Sequence, residues 1–173
     1  MKTFVLWLTG LSGSGKTTLA KMVYNEIKER GKKIERLDGD IVRDIFPKTG
    51  FSKEERNAHV KRIGFLASIL ERNEVSVVAS FISPYAEARN FVRNKCKNFV
   101  EVFVKASIEE CEKRDVKGLY KKVRNGDITN FTGIDDPYEV PKDPEITIDT
   151  ETQTKEQSLQ IILKYIEEKF GKK

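Results

Sequence analysis

The sequence has few of the residues that would build a metal centre or a covalent framework. Its 173 residues include two cysteines, Cys96 and Cys111, and one histidine, His59. Two cysteines cannot form a disulfide framework, and a single histidine leaves no Cys/His cluster for zinc. We therefore expect a domain held together by its apolar core, in the reducing environment of the cytoplasm.

Long apolar runs are also missing. The run at residues 4–8 is too short to span a membrane or to form the core of a signal peptide. No internal repeat or low-complexity linker divides the chain, so we expect a single domain over residues 1–173. The net charge of +5 arises from 32 basic and 27 acidic residues that are mixed along most of the chain. This balance favours an anionic ligand without requiring nucleic acid.

One motif organises the chain. The apolar run 4–8 predicts a parallel strand that is buried on both faces, and the pattern Gly10-x-x-x-x-Gly15-Lys16-Thr17 follows it. Apolar residues at helical spacing then continue as far as Gly31. This order is typical of a P-loop, whose backbone N–H groups and helix dipole hold a phosphate. Lys16 is expected to reach the β- and γ-phosphates of a nucleotide, and Thr17 to help hold Mg²⁺. The nucleotide-binding residues predicted here are Gly10, Ser12, Gly13, Ser14, Gly15, Lys16, Thr17 and Thr18.

Four more strands are predicted from apolar and β-branched runs. They are residues 33–37, 74–81, 99–104 and 145–149. Capping boxes that begin at Ser52, Ser107 and Thr154 predict three helix starts, and Ser83 is a candidate cap for a fourth helix. Strands that alternate with helices predict a three-layer α/β sandwich with a largely parallel five-stranded sheet.

Two groups of polar residues are candidates for the site: one follows the predicted second strand, and the other shares a face of the next long predicted helix. Asp38 and Asp40 are candidates for Mg²⁺ or for the acceptor hydroxyl, because ligands bind beyond the carboxyl ends of parallel strands. An ordinary Asp-Gly turn is the alternative. Arg43 lies three residues after Asp40, and Arg56 and His59 lie one turn apart on the helix that begins after Ser52.

Basic residues are concentrated between positions 113 and 124. They are Lys113, Arg114, Lys117, Lys121, Lys122 and Arg124. Because glycines also punctuate this region, we expect residues 113–136, which we call the lid segment, to form a mobile lid over a polyphosphate. A solvated charged face and a nucleic-acid surface are the alternatives, although no familiar nucleic-acid module accompanies the charges.

These features together indicate a small phosphoryl-transfer enzyme or switch that uses a nucleoside triphosphate and Mg²⁺. A GTPase would offer a guanine-reading Asn-Lys-x-Asp, and the stretch Asn94-Lys95-Cys96-Lys97 lacks the acid. The compact size, the basic lid segment and the arginines near the crevice favour a kinase for a small anionic acceptor. A kinase for another nucleotide or for a sugar acid is the alternative.

Over nearly its whole length the chain resembles the adenylylsulfate kinases, which use ATP to phosphorylate the 3′-hydroxyl of adenosine 5′-phosphosulfate. The most restrictive matches are Phe-Ile-Ser-Pro-Tyr (81–85), Gly-Leu-Tyr-Lys-Lys (118–122) and Asn-Phe-Thr-Gly-Ile-Asp-Asp-Pro-Tyr-Glu (130–139). Some domains of this family are regulatory modules attached to a sulfurylase, but those would have a damaged P-loop. Lys16 and Thr17 are both present here, so the resemblance implies an active kinase, ATP and Mg²⁺ as its ligands, and a possible homodimer.

The resemblance also implies roles for individual residues. Phe51 and Phe131 would sandwich the adenine of the acceptor, and Arg43 and Arg56 would hold its phosphosulfate group. Asp40 would lie beside the 3′-hydroxyl and help to place Mg²⁺. Further acceptor contacts would come from His59, Ile82, Ser83, Lys117 and Lys121, and an ATP contact from Arg114. Because no base is identifiable beside Ser83, we interpret it as a positioning residue rather than a nucleophile.

Two positions depart from the pattern of the family. His59 stands where the family usually has asparagine, and Ala86 stands where an arginine usually follows Phe-Ile-Ser-Pro-Tyr. An imidazole can still form a hydrogen bond to an anion, but its reach and charge differ from those of an amide. We expect altered affinity for the acceptor and retained activity.

Overall fold

The computed structural model describes residues 1–39, 42 and 50–171. In this part of the chain the strands are β1 (Val5–Thr9), β2 (Ile34–Asp38), β3 (Ser76–Ser80), β4 (Phe99–Lys105) and β5 (Ile146–Asp149). The helices are α1 (Lys16–Glu29), α2 (Lys53–Arg72), α3 (Ala86–Lys95), α4 (Ile108–Arg114), α5 (Leu119–Arg124) and α6 (Lys155–Phe170). None of these helices has both the length and the apolar character needed to cross a membrane.

The five strands form one sheet in the order β2-β3-β1-β4-β5. Each neighbouring pair is parallel, so the predicted largely parallel sheet is confirmed. Strand β1 lies at the centre, where Leu8 is in register with Ser80 on one side and with Val102 on the other. Because all strands run the same way, the loops that follow them meet at one edge of the sheet.

Helices cover both faces of the sheet, which makes the three layers predicted from the sequence. Phe4, Leu6 and Leu8 point to the face that α1 and α6 cover, whereas Val5 and Trp7 point to the face of α2 and α3. This alternation is the ordinary period of two in a strand. With apolar residues facing both layers, β1 is fully buried, as expected for a central parallel strand.

The predicted capping boxes at Ser52 and Thr154 are both confirmed. The box at Ser107 is only half formed. Its hydroxyl accepts from the backbone N–H of Glu110 at 3.2 Å, but its own backbone N–H donates to the carboxylate of Glu151 at 2.5 Å. A distant carboxylate therefore replaces the reciprocal bond that the local pattern predicts.

The predicted cap at Ser83 is wrong. Helix α3 begins at Ala86, with Tyr85 at its N-cap and no bond from a capping side chain of that residue. The carboxylate of Glu139 instead accepts from the backbone N–H of Ala86 at 2.6 Å. The hydroxyl of Ser83 is engaged elsewhere, because it accepts from the indole N–H of Trp7 at 3.0 Å.

Candidate active site

A cavity of about 660 Å³ lies at the carboxyl edge of the sheet, between the loop after β1, helix α2 and the lid segment. Many of the predicted site residues line it together. They are Ser12, Gly13, Gly15, Lys16, Thr17, Thr18, Phe51, Arg56, His59, Ile82, Ser83, Lys117 and Phe131. Gly10, Ser14, Arg114 and Lys121 are not in its lining, and Asp40 and Arg43 lie outside the described residues.

The predicted phosphate cradle consists of the loop between β1 and α1, residues 10–15, and the first two residues of α1, Lys16 and Thr17. A Cβ added at Gly10 would come within 2.4 Å of the carbonyl oxygen of Val104, so only glycine fits against β4. Gly13 has φ +81°, in the left-handed region that glycine adopts at no steric cost. The side chain of Ser14 is buried. Gly10 and Ser14 therefore shape the cradle from within the fold, and Gly13 and Gly15 present its backbone to the cavity.

Lys16 is the cation of the cradle. Its Nζ donates to the carbonyl oxygen of Leu11 at 2.6 Å and to the hydroxyl of Ser14 at 3.5 Å. The residue is only 8% exposed, yet it lines the cavity. Its ammonium group is therefore held at the loop where a phosphate oxygen would lie.

Two side-chain hydroxyls hold carbonyl groups of the cradle. Tyr120, in α5, donates to the carbonyl oxygen of Ser12 at 2.9 Å. The hydroxyl of Thr150, after β5, lies 3.1 Å from the carbonyl oxygen of Ser14 and 3.2 Å from that of Lys105, and its single hydrogen is shared between them. Neither residue was predicted as part of the site, because these bonds join positions 108 and 136 residues apart in the sequence and no local spacing reveals them.

A second, smaller cavity of about 190 Å³ lies beside the cradle. Gly15, Thr18, Arg114, Thr150 and Gln153 are among the residues that line it. The guanidinium of Arg114 donates to the hydroxyl and the carbonyl oxygen of Thr150, at 3.0 and 2.9 Å. Arg114 is therefore fixed in the lining of the smaller cavity, and Gly15 and Thr18 line both spaces.

Arg56 joins helix α2 to the lid segment. Its Nε donates to the carbonyl oxygen of Phe51 at 2.6 Å, and its Nη1 donates to the hydroxyl of Thr132 at 2.8 Å. Its Nη2 donates to the carbonyl oxygen of Asn130 and lies 3.5 Å from the carboxylate of Asp136. This buried guanidinium therefore holds together the two segments that carry Phe51 and Phe131.

The aromatic residues predicted to hold the acceptor base differ in their surroundings. Phe51 is 56% exposed, so much of its ring is offered to the cavity and solvent. The ring of Phe131 packs edge-on against Tyr120, with 5.0 Å between the ring centres. Lys117 lines the cavity near them, whereas Lys121 has an exposed side chain on α5.

The floor of the cavity carries His59 and Asp38. His59 is 3% exposed, and its ring lies 6.0 Å from that of Phe81. Asp38 accepts from the hydroxyl of Ser80 at 2.9 Å and pairs with Arg36 at 3.2 Å. Both side chains are therefore packed in the wall of the cavity.

The described residues bring together no group of three or more His, Cys, Asp or Glu side chains that could hold a metal ion. Mg²⁺ does not need a group of this size, because it is usually bound through one or two protein oxygens together with phosphates and water. Thr17 and Asp38 both line the cavity and offer oxygens of this kind.

Ser83 is the centre of a buried hydrogen-bond network. Its hydroxyl accepts from Trp7 and donates to the hydroxyl of Thr9 at 3.0 Å. Thr9 in turn donates to the carbonyl oxygen of Ile82 at 2.7 Å and lies 2.9 Å from the hydroxyl of Tyr138. Burial raises the pKa of Tyr138 to about 12, so this phenol stays protonated as a donor. Among the described residues the neighbours of the Ser83 hydroxyl include no base, so its environment favours positioning over attack.

A family model described as "Adenylylsulphate kinase" matches residues 2–149. A probable adenylyl-sulfate kinase of Pseudomonas aeruginosa is 55% identical over 162 residues, which are 93% of this chain and 76% of that protein. The adenylyl-sulfate kinase of Rippkaea orientalis is 54% identical over 164 residues, covering 94% of this chain and 91% of that protein.

Solved structures show the same likeness. The APS kinase of Mycobacterium tuberculosis, in complex with AMPPNP and APS, superimposes with a TM-score of 0.91 at 36% sequence identity. The match covers 96% of this chain and 98% of that chain. A gluconokinase of Sinorhizobium meliloti, at 13% identity and a TM-score of 0.55, shares the fold alone.

Proposed function

Since this chain belongs to the adenylylsulphate kinase family, whose ATP-dependent phosphorylation of adenosine 5′-phosphosulfate it shares, we propose that the transfer takes place in the 660 Å³ cavity. The γ-phosphoryl group of ATP passes directly to the 3′-hydroxyl of the acceptor. The observation that carries this assignment is the shared lining: Gly15 and Thr18 face both cavities. A donor nucleotide can therefore lie across the cradle, with its phosphates turned toward the acceptor.

The donor is held by the cradle and by the smaller cavity. Backbone N–H groups of Gly13 and Gly15, at the N-terminus of α1, bind its phosphates, and Lys16 exchanges its contact with Leu11 for a phosphate oxygen. The base and ribose of ATP occupy the 190 Å³ cavity, against Arg114 and Gln153. The positive charge of Lys16 then stabilises the charge that develops on the transferred group.

Mg²⁺ is part of the proposed donor complex. Thr17 lines the cavity next to Lys16 and would hold the ion together with Asp40, as the sequence resemblance implies. When it is bound, Mg²⁺ neutralises charge on the β- and γ-phosphates.

The acceptor is held between the floor of the cavity and the lid segment. Phe51 and Phe131 clamp its adenine, since aromatic rings stack well on bases. Arg56 keeps the two segments of this clamp together and adds positive charge to the cavity wall. Lys117 and the predicted Arg43 bind the phosphosulfate group, and Asp40 orients the 3′-hydroxyl or accepts its proton.

The remaining predicted residues have supporting roles. His59, Ile82 and Ser83 form the floor beneath the acceptor, and the buried network around Ser83 keeps that floor in place. Lys121, whose side chain is exposed, would contact a ligand only when the lid segment closes further. Such a closure excludes water and so protects the phosphoryl group from hydrolysis.

A homodimer is a separate proposal that rests on the resemblance to the family. Phe65 on α2 is 52% exposed, which gives that helix an apolar outer position. Sedimentation of the purified chain would test the proposal, and a single species of 19.9 kDa over the micromolar range would contradict it.

The reaction and its acceptor are tested by one coupled assay of ADP formation. The chain is supplied with ATP and Mg²⁺, and either adenosine 5′-phosphosulfate, adenosine monophosphate or no acceptor. We expect strong turnover with the phosphosulfate alone, since only that acceptor presents a sulfate as well as a phosphate to Arg56 and Lys117. Equal ADP formation under all three conditions would contradict the assignment. In a fourth reaction supplied with a sugar acid, efficient turnover would favour the alternative acceptor class.

A further inference from the structure

The orientation of two peptide groups in the phosphate cradle is set from outside it. The carbonyl oxygen of Ser12 accepts from the hydroxyl of Tyr120, and that of Ser14 accepts from the hydroxyl of Thr150. The described chain has no cis peptide bond, so the N–H of each following glycine points opposite to the held carbonyl. The N–H of Gly13 therefore points away from Tyr120, and the N–H of Gly15 points away from Thr150.

The side chain of Tyr120 is fixed by burial and by the hydrogen bonds at the start of α5, so its hydroxyl is held at the carbonyl oxygen of Ser12. It is 1% exposed and packs with Leu11 and Cys111 beneath the cradle. The carboxylate of Asp115 accepts from the backbone N–H groups of Tyr120 and Lys121, at 3.1 and 3.0 Å, at the start of α5. Burial raises the pKa of Tyr120, so the phenol is a hydrogen-bond donor throughout the neutral range.

The ring of Tyr120 also contacts Phe131, which belongs to the proposed acceptor clamp. The two rings meet edge-on at 5.0 Å, and Phe131 lies beside the residues that Arg56 holds, Asn130 and Thr132. One tyrosine of the lid segment thus contacts the donor loop through its hydroxyl and the acceptor clamp through its ring.

We propose that Tyr120 and Thr150 are positioning residues that aim the Gly13 and Gly15 N–H groups at the donor phosphates, and that Tyr120 makes this aim depend on the lid segment. The proposal rests on the donor site assigned under the proposed function. With the hydroxyl of Tyr120 in place, the Ser12–Gly13 peptide is already oriented before ATP arrives. When the hydroxyl is absent, that peptide must be ordered by the nucleotide itself, which weakens binding.

The Tyr120→Phe variant tests the hydroxyl without removing the ring from Phe131. We expect the dissociation constant for AMPPNP, measured by calorimetry, to rise about 3- to 10-fold, as the loss of one neutral hydrogen bond implies. The KM for ATP should rise in parallel, and the KM for adenosine 5′-phosphosulfate should change less. Thr150→Val should weaken AMPPNP binding at least as much, because it also removes the hydroxyl that accepts from Arg114. Thr150→Ser, which keeps the hydroxyl, should bind AMPPNP like the unaltered chain.

Tyr24→Phe is the matched control, because the Tyr24 hydroxyl accepts from Lys28 at 3.1 Å on the exposed surface of α1. Unaltered AMPPNP affinity in Tyr120→Phe would overturn the proposal. A lower melting temperature with unaltered AMPPNP affinity would overturn it as well, because the hydroxyl would then serve stability alone. A failure of the proposed function would look different, since the unaltered chain would then show no turnover that depends on adenosine 5′-phosphosulfate.

The Phe131→Leu variant separates the contact of the Tyr120 hydroxyl from that of its ring. Weaker binding of the acceptor with unchanged binding of AMPPNP supports the division of roles. Weaker binding of AMPPNP with unchanged binding of the acceptor contradicts it.

Discussion

The guanidinium of Arg89 lies 2.8 Å from the carboxylate of Glu101, and both side chains are buried between α3 and β4. The two remaining nitrogens of Arg89 donate to the carbonyl oxygens of Ser83 and Glu139, at 2.7 and 2.6 Å. Ser83 has φ +40°, which is unusual for a residue with a side chain. This arginine therefore holds a strained loop of the cavity floor on one side and the segment that follows the lid on the other.

Replacement of Arg89 should affect both stability and acceptor binding. We expect Arg89→Met to lower the free energy of unfolding by about 3 kcal/mol, because it leaves a buried carboxylate without its main partner. The KM for the acceptor should rise, since the Ser83 loop loses its anchor. Urea unfolding and steady-state kinetics measure the two effects.

Arg93 provides the control on the same helix. It pairs with Glu145 and also reaches Glu101 at 3.3 Å, but its side chain is 33% exposed. We expect Arg93→Met to cost about 1 kcal/mol or less and to leave the acceptor KM unchanged. An equal loss in the two variants would show that the buried bonds of Arg89 carry no special weight.

Lys16 should be needed for rate rather than for folding. The Lys16→Ala variant should lose about 100-fold or more in kcat, the usual cost of removing one group that stabilises a developing charge. Its urea midpoint should stay close to that of the unaltered chain. Lys21→Ala, on an exposed position of the same helix, should keep full activity, and a Lys16→Ala variant with normal turnover would rule out the assigned role.

Gly64 is the contact point between α2 and α3. A Cβ at this position would lie 2.4 Å from Cγ2 of the buried Val92. Alanine is favoured over glycine within a helix by about 1 kcal/mol, but the clash in a packed interface should cost more. We expect Gly64→Ala to be destabilising by about 1–2 kcal/mol in chemical denaturation.

A double variant separates the two effects. If the clash decides the outcome, Val92→Ala should cost less in the Gly64→Ala background than alone, because it makes room for the new methyl group. Strictly additive changes in stability would contradict this explanation.

The pair of Glu145 and Arg93 predicts a response to acid. Partial burial raises the pKa of Glu145. The hydrogen bonds from Arg93 and from the backbone N–H of Glu101 lower this pKa by more than burial raises it, so the pKa of Glu145 lies below its ordinary value of 4.5. The stability that this carboxylate contributes is thus present above pH 4.5 and is lost as the pH falls through its folded-state pKa. The difference in stability between the unaltered chain and Glu145→Gln should shrink toward zero in urea titrations from pH 7 to pH 3; a constant difference would refute the prediction.

Local patterns were sufficient to predict the framework of this fold. The five strands, the cradle and the caps at Ser52 and Thr154 each depend on residues within a few positions of one another, where period and motif are informative. The predicted cap at Ser83 failed because a tryptophan 76 residues away, Trp7, competes for its hydroxyl. A local pattern cannot weigh such a competitor.

The contacts that shape the site could not be predicted for the same reason. Arg56 was predicted as an anion ligand, and its bonds to Asn130 and Thr132 join segments more than 70 residues apart. Tyr120 and Thr150 carry no motif that marks a hydroxyl aimed at a backbone carbonyl. The roles of Asp40 and Arg43 stay predictions, because both residues lie outside the part of the chain that the structure describes.

The central place of β1 has a consequence for how such enzymes can change. The end of β2 and the loop after β3, on one side of it, carry Asp38 and Ser83 in the lining of the large cavity, whereas Arg114 and Thr150 follow β4 and β5 on the other side and line the smaller one. In the proposed function the floor beneath the acceptor and the donor pocket thus lie on opposite halves of one sheet, whereas the lid segment, which follows β4, brings Lys117 and Phe131 to the acceptor. A substitution in the floor after β2 or β3 can therefore alter the proposed acceptor site without touching the donor pocket, whereas a substitution in the lid segment affects both sites through Tyr120.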